Sequence, residues 1–313
     1  MVWKTRLKDV VHGAVAGKAL RIVLSPDVDG ILSTVLVSEY ARRMGVETEV
    51  IGSYDSSKLR LVPSYTVADA KAALWVDLDV AGVRCIGQHF LGTVQDDARS
   101  FNPNLLFNVH VNMREKCPVS TTHLVLWGLF PTEADASPVL AHKFSLARSA
   151  VAHADSLYVI AESYRPNVER WMGKLFPDGN LPRTMELLLD GTYRRDAKKI
   201  HRHFLNLIEE DVVHFRPLDD TWESFKGRQS VGDVAHLSTV QKMLRLFAKL
   251  LRVDPPRQQD GERVAWEGER VMLDTVQFDW ADPGFEALLK KEGVVSHALV
   301  NARTCSVTVG EAF

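Results

Sequence analysis

Asp27 and Asp29 stand two residues apart in Ser25-Pro26-Asp27-Val28-Asp29-Gly30, immediately after the mainly apolar run 20–24. Asp77 and Asp79 follow a second apolar run, 72–76, and His89 follows a third, 83–86, after Gly87 and Gln88. A further acid, Asp155, sits in His153-Ala154-Asp155-Ser156. Clustered carboxylates with an imidazole can hold two cations about 3.5–4 Å apart, activate water and neutralise a phosphate, which is what two-metal phosphoester hydrolysis requires. An oxygen-rich set suits hard Mn²⁺ or Mg²⁺. Each piece alone has a plainer reading. Asp and Ser are common at helix N-caps, and a lone histidine is more often structural than a ligand.

The elements that must position these side chains are short. Residues 5–16 have helical spacing, with Gly17 as a stop. Strands are expected at 20–24, 47–52, 72–76 and 83–86, with a helix at 31–44 closed by Gly45. Short apolar strands separated by helices predict an α/β fold with a doubly wound, mostly parallel sheet. Ligands of such sheets sit beyond the carboxyl ends of the strands, where the acids fall. After about residue 120 the pattern becomes helical, over 121–130, 137–158, 167–176, 183–211 and 231–253. A polar break at 254–261 precedes two β-rich segments, 263–278 and 294–309, so a small C-terminal β element is expected.

The order of these pieces resembles the DHH superfamily, which includes the RecJ exonucleases and small oligonucleotide phosphodiesterases. Asp27-Val28-Asp29-Gly30-Ile31-Leu32-Ser33 after a strand is similar to its first motif, and Asp77 closing a strand to its second. Ile86-Gly87-Gln88-His89 lies where the family carries Ile-Asp-His-His. Phe101-Asn102-Pro103-Asn104 resembles a following Asn-Pro step, Pro118 to Thr122 the next segment, and His153 to Ser156 the fourth acidic motif. The resemblance covers about residues 18 to 160. It implies Asp27, Asp29, Asp77 and Asp155 as ligands of Mn²⁺ or Mg²⁺, with Asp77 bridging. It implies catalytic roles for Asp29, Asp77 and His89, the last also steadying phosphate. The family's name-giving acid and first histidine are replaced by Gly87 and Gln88. The Gln88 oxygen is a neutral, weaker ligand, so one ion rather than two is implied. An Asp-His pair restored at 87 and 88 is expected to complete the second ion's shell.

Ser120, Thr121, Thr122 and His123 open a helix whose free N–H groups suit a phosphate. The alternative is a capped helix start with a solvent-facing imidazole. The most basic stretch, 193–204, places Arg195, Lys198 and Arg202 on one helical side, either a contact for single-stranded nucleic acid or a solvated face.

At 313 residues the chain exceeds one usual domain, so a division into 1–160 and 161–313 is expected. The net charge of −2 announces no global basic field, which leaves only a local groove for nucleic acid. Cys85, Cys117 and Cys305 are odd in number and far apart, fitting neither a disulfide framework nor a zinc cluster. A reducing, cytoplasmic setting is the expectation. No apolar run reaches the roughly 20 residues of a membrane span, and residues 1–17 lack the apolar core of a signal peptide. The function expected is a metal-dependent phosphoesterase acting on a nucleotide, an oligonucleotide or a single-stranded end. The alternative is a DHH-like binding or scaffold protein without catalysis.

Overall fold

The computed structural model describes residues 2–55, 57–89, 99–109, 115–141, 146–156, 161, 164–189, 237–274, 294–301 and 304–309. Helix α1 (Val2–Ala14) leads into strand β1 (Ala19–Leu24), helix α2 (Val28–Arg43) and strand β2 (Glu47–Tyr54). Strand β3 (Lys58–Leu61), helix α3 (Val67–Ala72) and strands β4 (Leu74–Val76) and β5 (Arg84–Ile86) follow. Next come α4 (Pro103–Leu106), α5 (Thr121–Leu129), α6 (Glu133–Ala136), α7 (Leu146–His153), α8 (Arg165–Leu175), α9 (Arg183–Leu189) and α10 (Leu237–Leu251). Strands β6 (Arg257–Gln258), β7 (Arg263–Glu267), β8 (Glu269–Asp274), β9 (Val294–Asn301) and β10 (Thr304–Val309) complete the order.

The central sheet runs β5–β4–β1–β2–β3–β7, with β6 also paired to β2. It is parallel from β5 to β2 and antiparallel at β3 and β7. One face of β1 is buried along its length, and the other, which carries the exposed Ala19 and Arg21, is buried only at Val23. Leu20, Ile22 and Leu24 enter one core, and Val23 enters the other. In β4, Leu74 and Val76 share the first core while Trp75 points into the second. The first core is covered by α1, α2, α5 and α10, and the second includes Ala70 of α3.

The expected sheet is therefore present, with an edge that local pattern did not announce. Strand β3 folds back on β2 through Asp55, whose carboxylate accepts from the N–H groups of Ser57 and Lys58 and pairs with Arg60. Residues 263–267 do not belong to the small C-terminal sheet. They pair with β3 as β7, while β8, β10 and β9 form that three-stranded antiparallel sheet.

The core also runs across the boundary expected near residue 160. Leu237, Val240, Leu244, Phe247 and Leu251 of α10 share one apolar cluster with Leu7, Ile31 and Val35. The Trp3 indole donates to the Leu175 carbonyl at 3.0 Å, and the Ser137 hydroxyl to that of Leu251 at 2.7 Å. An amphipathic α10 must bury its apolar stripe somewhere, and the face formed by α2 and α7 accepts it. The single helix expected over 137–158 is broken: α7 ends at His153, and Asp155 has φ 49°. Among the described residues no helix is long and apolar enough to cross a membrane.

Candidate acidic site

Because β1, β4 and β5 are parallel, the loops leaving them emerge on one edge of the sheet. The β1 loop is tight. Asp27 caps α2: one carboxylate oxygen accepts from the Gly30 N–H at 2.8 Å, the other from the Ser25 hydroxyl at 2.7 Å. A Cβ on residue 30 would meet the Ser25 carbonyl oxygen and lie 2.8 Å from the Ser25 Cβ, so this turn has room only for glycine. Helix α2 starts at Val28, three residues earlier than expected, which places Asp29 in its first turn.

Asp29 is 1% exposed and points across the core. Its two carboxylate oxygens accept from the N–H groups of Thr121 and Thr122, at 2.9 and 2.7 Å. The Thr122 hydroxyl donates to the Asp29 main-chain carbonyl at 3.1 Å. Asp29 thus occupies the positive end of α5. Burial pushes its carboxyl up to about 8, reinforced by the charge of Asp155 and opposed by the Thr122 bonds.

Asp77 follows β4 with φ 57°, a left-handed conformation that Asp tolerates better than most residues. Its N–H donates to the Ile86 carbonyl at 2.7 Å. One carboxylate oxygen accepts from the Thr121 hydroxyl at 2.7 Å; the other is buried without a hydrogen-bond partner. Burial, then the charges of Asp29, Asp27 and Asp155, hold this carboxyl well above the usual range. Asp27 is raised too, by desolvation and by Asp155, against its bonds to Gly30 and Ser25.

In the β5 loop the Gln88 side-chain nitrogen donates to the Asp155 carboxylate. His89 is half-buried, and loss of solvation pulls its imidazole below the usual value against the pull of Asp155 and Asp27. Asn102 and Asn104 hold the loop from outside. Asn104 donates to the Gln88 carbonyl at 2.8 Å, and the Asn102 amide nitrogen donates to the His89 carbonyl and to Asp79.

The structure therefore brings together Asp27, Asp29, Asp77, Asp155, Gln88 and His89. Thr121 joins Asp29 and Asp77 directly, and Asp27 and Asp155 lie close enough to perturb both acids. Three expectations need correction. The Thr121 and Thr122 N–H groups are engaged by Asp29, so the start of α5 is not open to a phosphate. Ser120 spends its hydroxyl on the His123 N–H and ring, and that ring is fully buried rather than solvent-facing. Burial carries the His123 imidazole down to about 3, and it packs edge-on against Trp127. Finally, an acid restored at residue 87 has no room, because a Cβ there would meet the Asp79 carboxylate. Arg195, Lys198 and Arg202 lie outside the described residues.

Sequence reasoning assigned no role to Asp79 or to the Asn102 and Asn104 clamps. The signal for the clamps was Asn102-Pro103-Asn104, where Asn102 caps a one-turn helix through the Asn104 N–H at 2.9 Å. Among the described residues no group of three or more His, Cys, Asp or Glu side chains is spaced to hold a metal ion. The donor chemistry still fits a hard divalent cation, since four mutually repelling acids include a buried oxygen with no donor.

Neither a protein-family model nor a curated protein matches the chain. Among solved structures it is similar to the exonuclease RecJ bound to manganese, at 14% identity and a TM-score of 0.32, over 79% of this chain and 66% of that one. It is similar to RecJ from Thermus thermophilus in complex with Mn²⁺, at 14% identity and a TM-score of 0.32, over 80% of this chain. The chain spans only 37% of that second protein, and neither likeness bears on the chemistry.

Proposed function

We propose that the chain is a divalent-metal-dependent phosphoesterase of the DHH type, acting on a nucleotide, an oligonucleotide or a single-stranded nucleic-acid end. The observation that carries this is the buried, unpartnered oxygen of Asp77 among acids that repel one another. Leaving such an acceptor unsatisfied costs about 1–3 kcal/mol, and a cation answers both the missing partner and the repulsion. Mn²⁺ or Mg²⁺ would meet the free oxygen of Asp77; Asp27 and Asp155, which are not spaced around one ion as they stand, would have to close on it, with Gln88 steadying Asp155. Asp29, with both oxygens on the start of α5, fixes the helix that carries Thr121. A bound divalent ion supplies charge neutralisation at the phosphate and acidifies a water. Loss of solvation favours the neutral His89 ring, and Asp155 and Asp27 favour its protonated form, so it would accept a proton at one nitrogen and return it to a leaving oxygen.

The test is hydrolysis of a nitrophenyl phosphodiester and of a short single-stranded oligonucleotide, with Mn²⁺ and with chelator. Wild type should turn over only with the ion, and Asp77→Asn should lose about 100-fold or more. A second reading, a DHH-like binding or scaffold protein, is favoured by one observation. The chain meets Asp29, Asp27 and Asp155 with its own donors. No hydrolysis with any divalent ion, and melting indifferent to Mn²⁺, would select that reading.

A further inference from the structure

We infer that Asp79 is a positioning residue for His89: its carboxylate stands in the volume a side chain on residue 87 would fill, and from there it fixes the 87–89 loop. Gly87 is not among the glycines with positive φ, so backbone conformation does not explain it. Space does. A Cβ on residue 87 would meet an Asp79 carboxylate oxygen, lie 2.7 Å from the Asp79 Cγ and 2.9 Å from the Leu78 carbonyl oxygen. Real Cβ atoms do not approach other heavy atoms so closely, so the acid at 79 and a side chain at 87 exclude one another.

Asp79 is 6% exposed, and its carboxylate is held at one oxygen. Its Oδ1 accepts from the Asn102 amide at 3.0 Å, and that same amide nitrogen donates to the His89 carbonyl. Its Oδ2 makes no hydrogen bond and lies 3.8 Å from His89 Nδ1. That separation is beyond hydrogen-bond length, so the carboxylate acts on the ring by charge and on its position through Asn102, which bonds both Asp79 and the His89 carbonyl. An acid that the DHH pattern would place at residue 87 is thus delivered eight residues earlier, from the end of β4. The use made of His89 rests on the phosphoesterase reading. The exchange between 79 and 87 does not.

The experiment is a double-mutant cycle read by melting, with histidine-selective ¹³C NMR at fixed pH and without divalent ions. Gly87→Ala should lower the melting temperature by about 4 °C or more. In an Asp79→Gly background at least half of that loss should disappear, the remainder reflecting the Leu78 carbonyl. The His89 ring signal, assigned with His89→Gln, should move in Asp79→Gly and return towards its wild-type position in Asp79→Gly/Gly87→Asp. Additive melting losses, or a His89 signal unmoved by Asp79→Gly, would overturn the inference. Should Gly87→Ala fail to fold, the Asp79→Gly spectrum alone decides, since that variant only removes atoms. Neither measurement involves hydrolysis or a metal, so the inference and the proposed function fail separately.

Discussion

Helices α2 and α5 both begin beneath the acidic loops, and both take a carboxylate from the same Asp27-Val28-Asp29 triplet, by opposite routes. Asp27 caps its own helix from three residues away, bonding the Gly30 N–H. Helix α5 has its local cap too, the Ser120 hydroxyl on the His123 N–H. That leaves the N–H groups of Thr121 and Thr122, which an exposed helix would turn to water. Here the helix start is buried, and Asp29 reaches it from 92 residues away. The first cap is a local matter and removable with local consequences. The second ties β1 and α2 to α5 through the core, and it places Thr121 where its hydroxyl meets Asp77. One acid of the pair starts a helix; the other assembles the site.

The largest expected effect separates the two. Asp29→Ala strands two buried N–H groups and should lower unfolding free energy by about 3 kcal/mol in chemical denaturation. Asp27→Ala removes one N-cap bond and should lower it by about 1 kcal/mol. Equal losses would mean that the long-range cap holds no more of the structure than the local one.

What the sequence made legible follows the same division. The turn of β1 into α2 could be read because its cap, glycine and apolar run fall within a few residues. The apolar run of β4 announced a strand buried on both faces, and the run of β1, broken by Arg21, a strand buried mainly on one. Long-range partners left no such trace. Thr121 and Thr122 read as an open anion-binding start, since nothing within the helix discloses that Asp29 already fills it. The pairing of β3 with β7 joins residues about 200 positions apart, and its short strands carry no local mark of each other. Gly87 read as a lost acid, because the carboxylate that displaces it comes from a different strand end. The spacing over 137–158 predicts a regular helix through Asp155, whereas α7 stops at His153 and leaves Asp155 left-handed beside Gln88.

A smaller effect tests whether the acids crowd as the geometry implies. The carboxyls of Asp29, raised to about 8, and Asp77, raised well above its usual value, bind protons more tightly folded than unfolded. Groups shifted upward stabilise fully below their unfolded pKa, near 4, and lose that contribution as pH rises through the folded value. His89 and His123 are shifted downward, so their contribution grows with pH only up to about 6.5 and is complete above it. Between pH 7 and 9 the acids therefore act alone among these groups. The melting temperature of the ion-free protein should fall across that window, and Mn²⁺ should reduce the fall by taking the proton's place. A flat profile without the ion would show that the carboxylates are not under mutual strain.

The smallest effect on stability is expected from Asp27→Asn, and its smallness is the point. Asparagine is as good an N-cap as aspartate, so its side-chain oxygen can keep the Gly30 N–H. Its amide nitrogen can donate to the Ser25 hydroxyl, which accepts as readily as it donates. What disappears is one negative charge beside Asp155, Asp29 and Asp77. Without divalent ions the unfolding free energy should therefore change by less than about 0.5 kcal/mol, the lost cap charge offset by relief of repulsion. The shift that Mn²⁺ produces in the melting temperature should shrink markedly in the same variant, because a charged oxygen donor has become a neutral one. Isothermal titration with Mn²⁺ would measure the loss directly. A variant that binds the ion as wild type does, yet melts several degrees lower without it, would reverse the division: Asp27 would then be a structural cap like Asp29, and the ion-binding role proposed for it would be withdrawn.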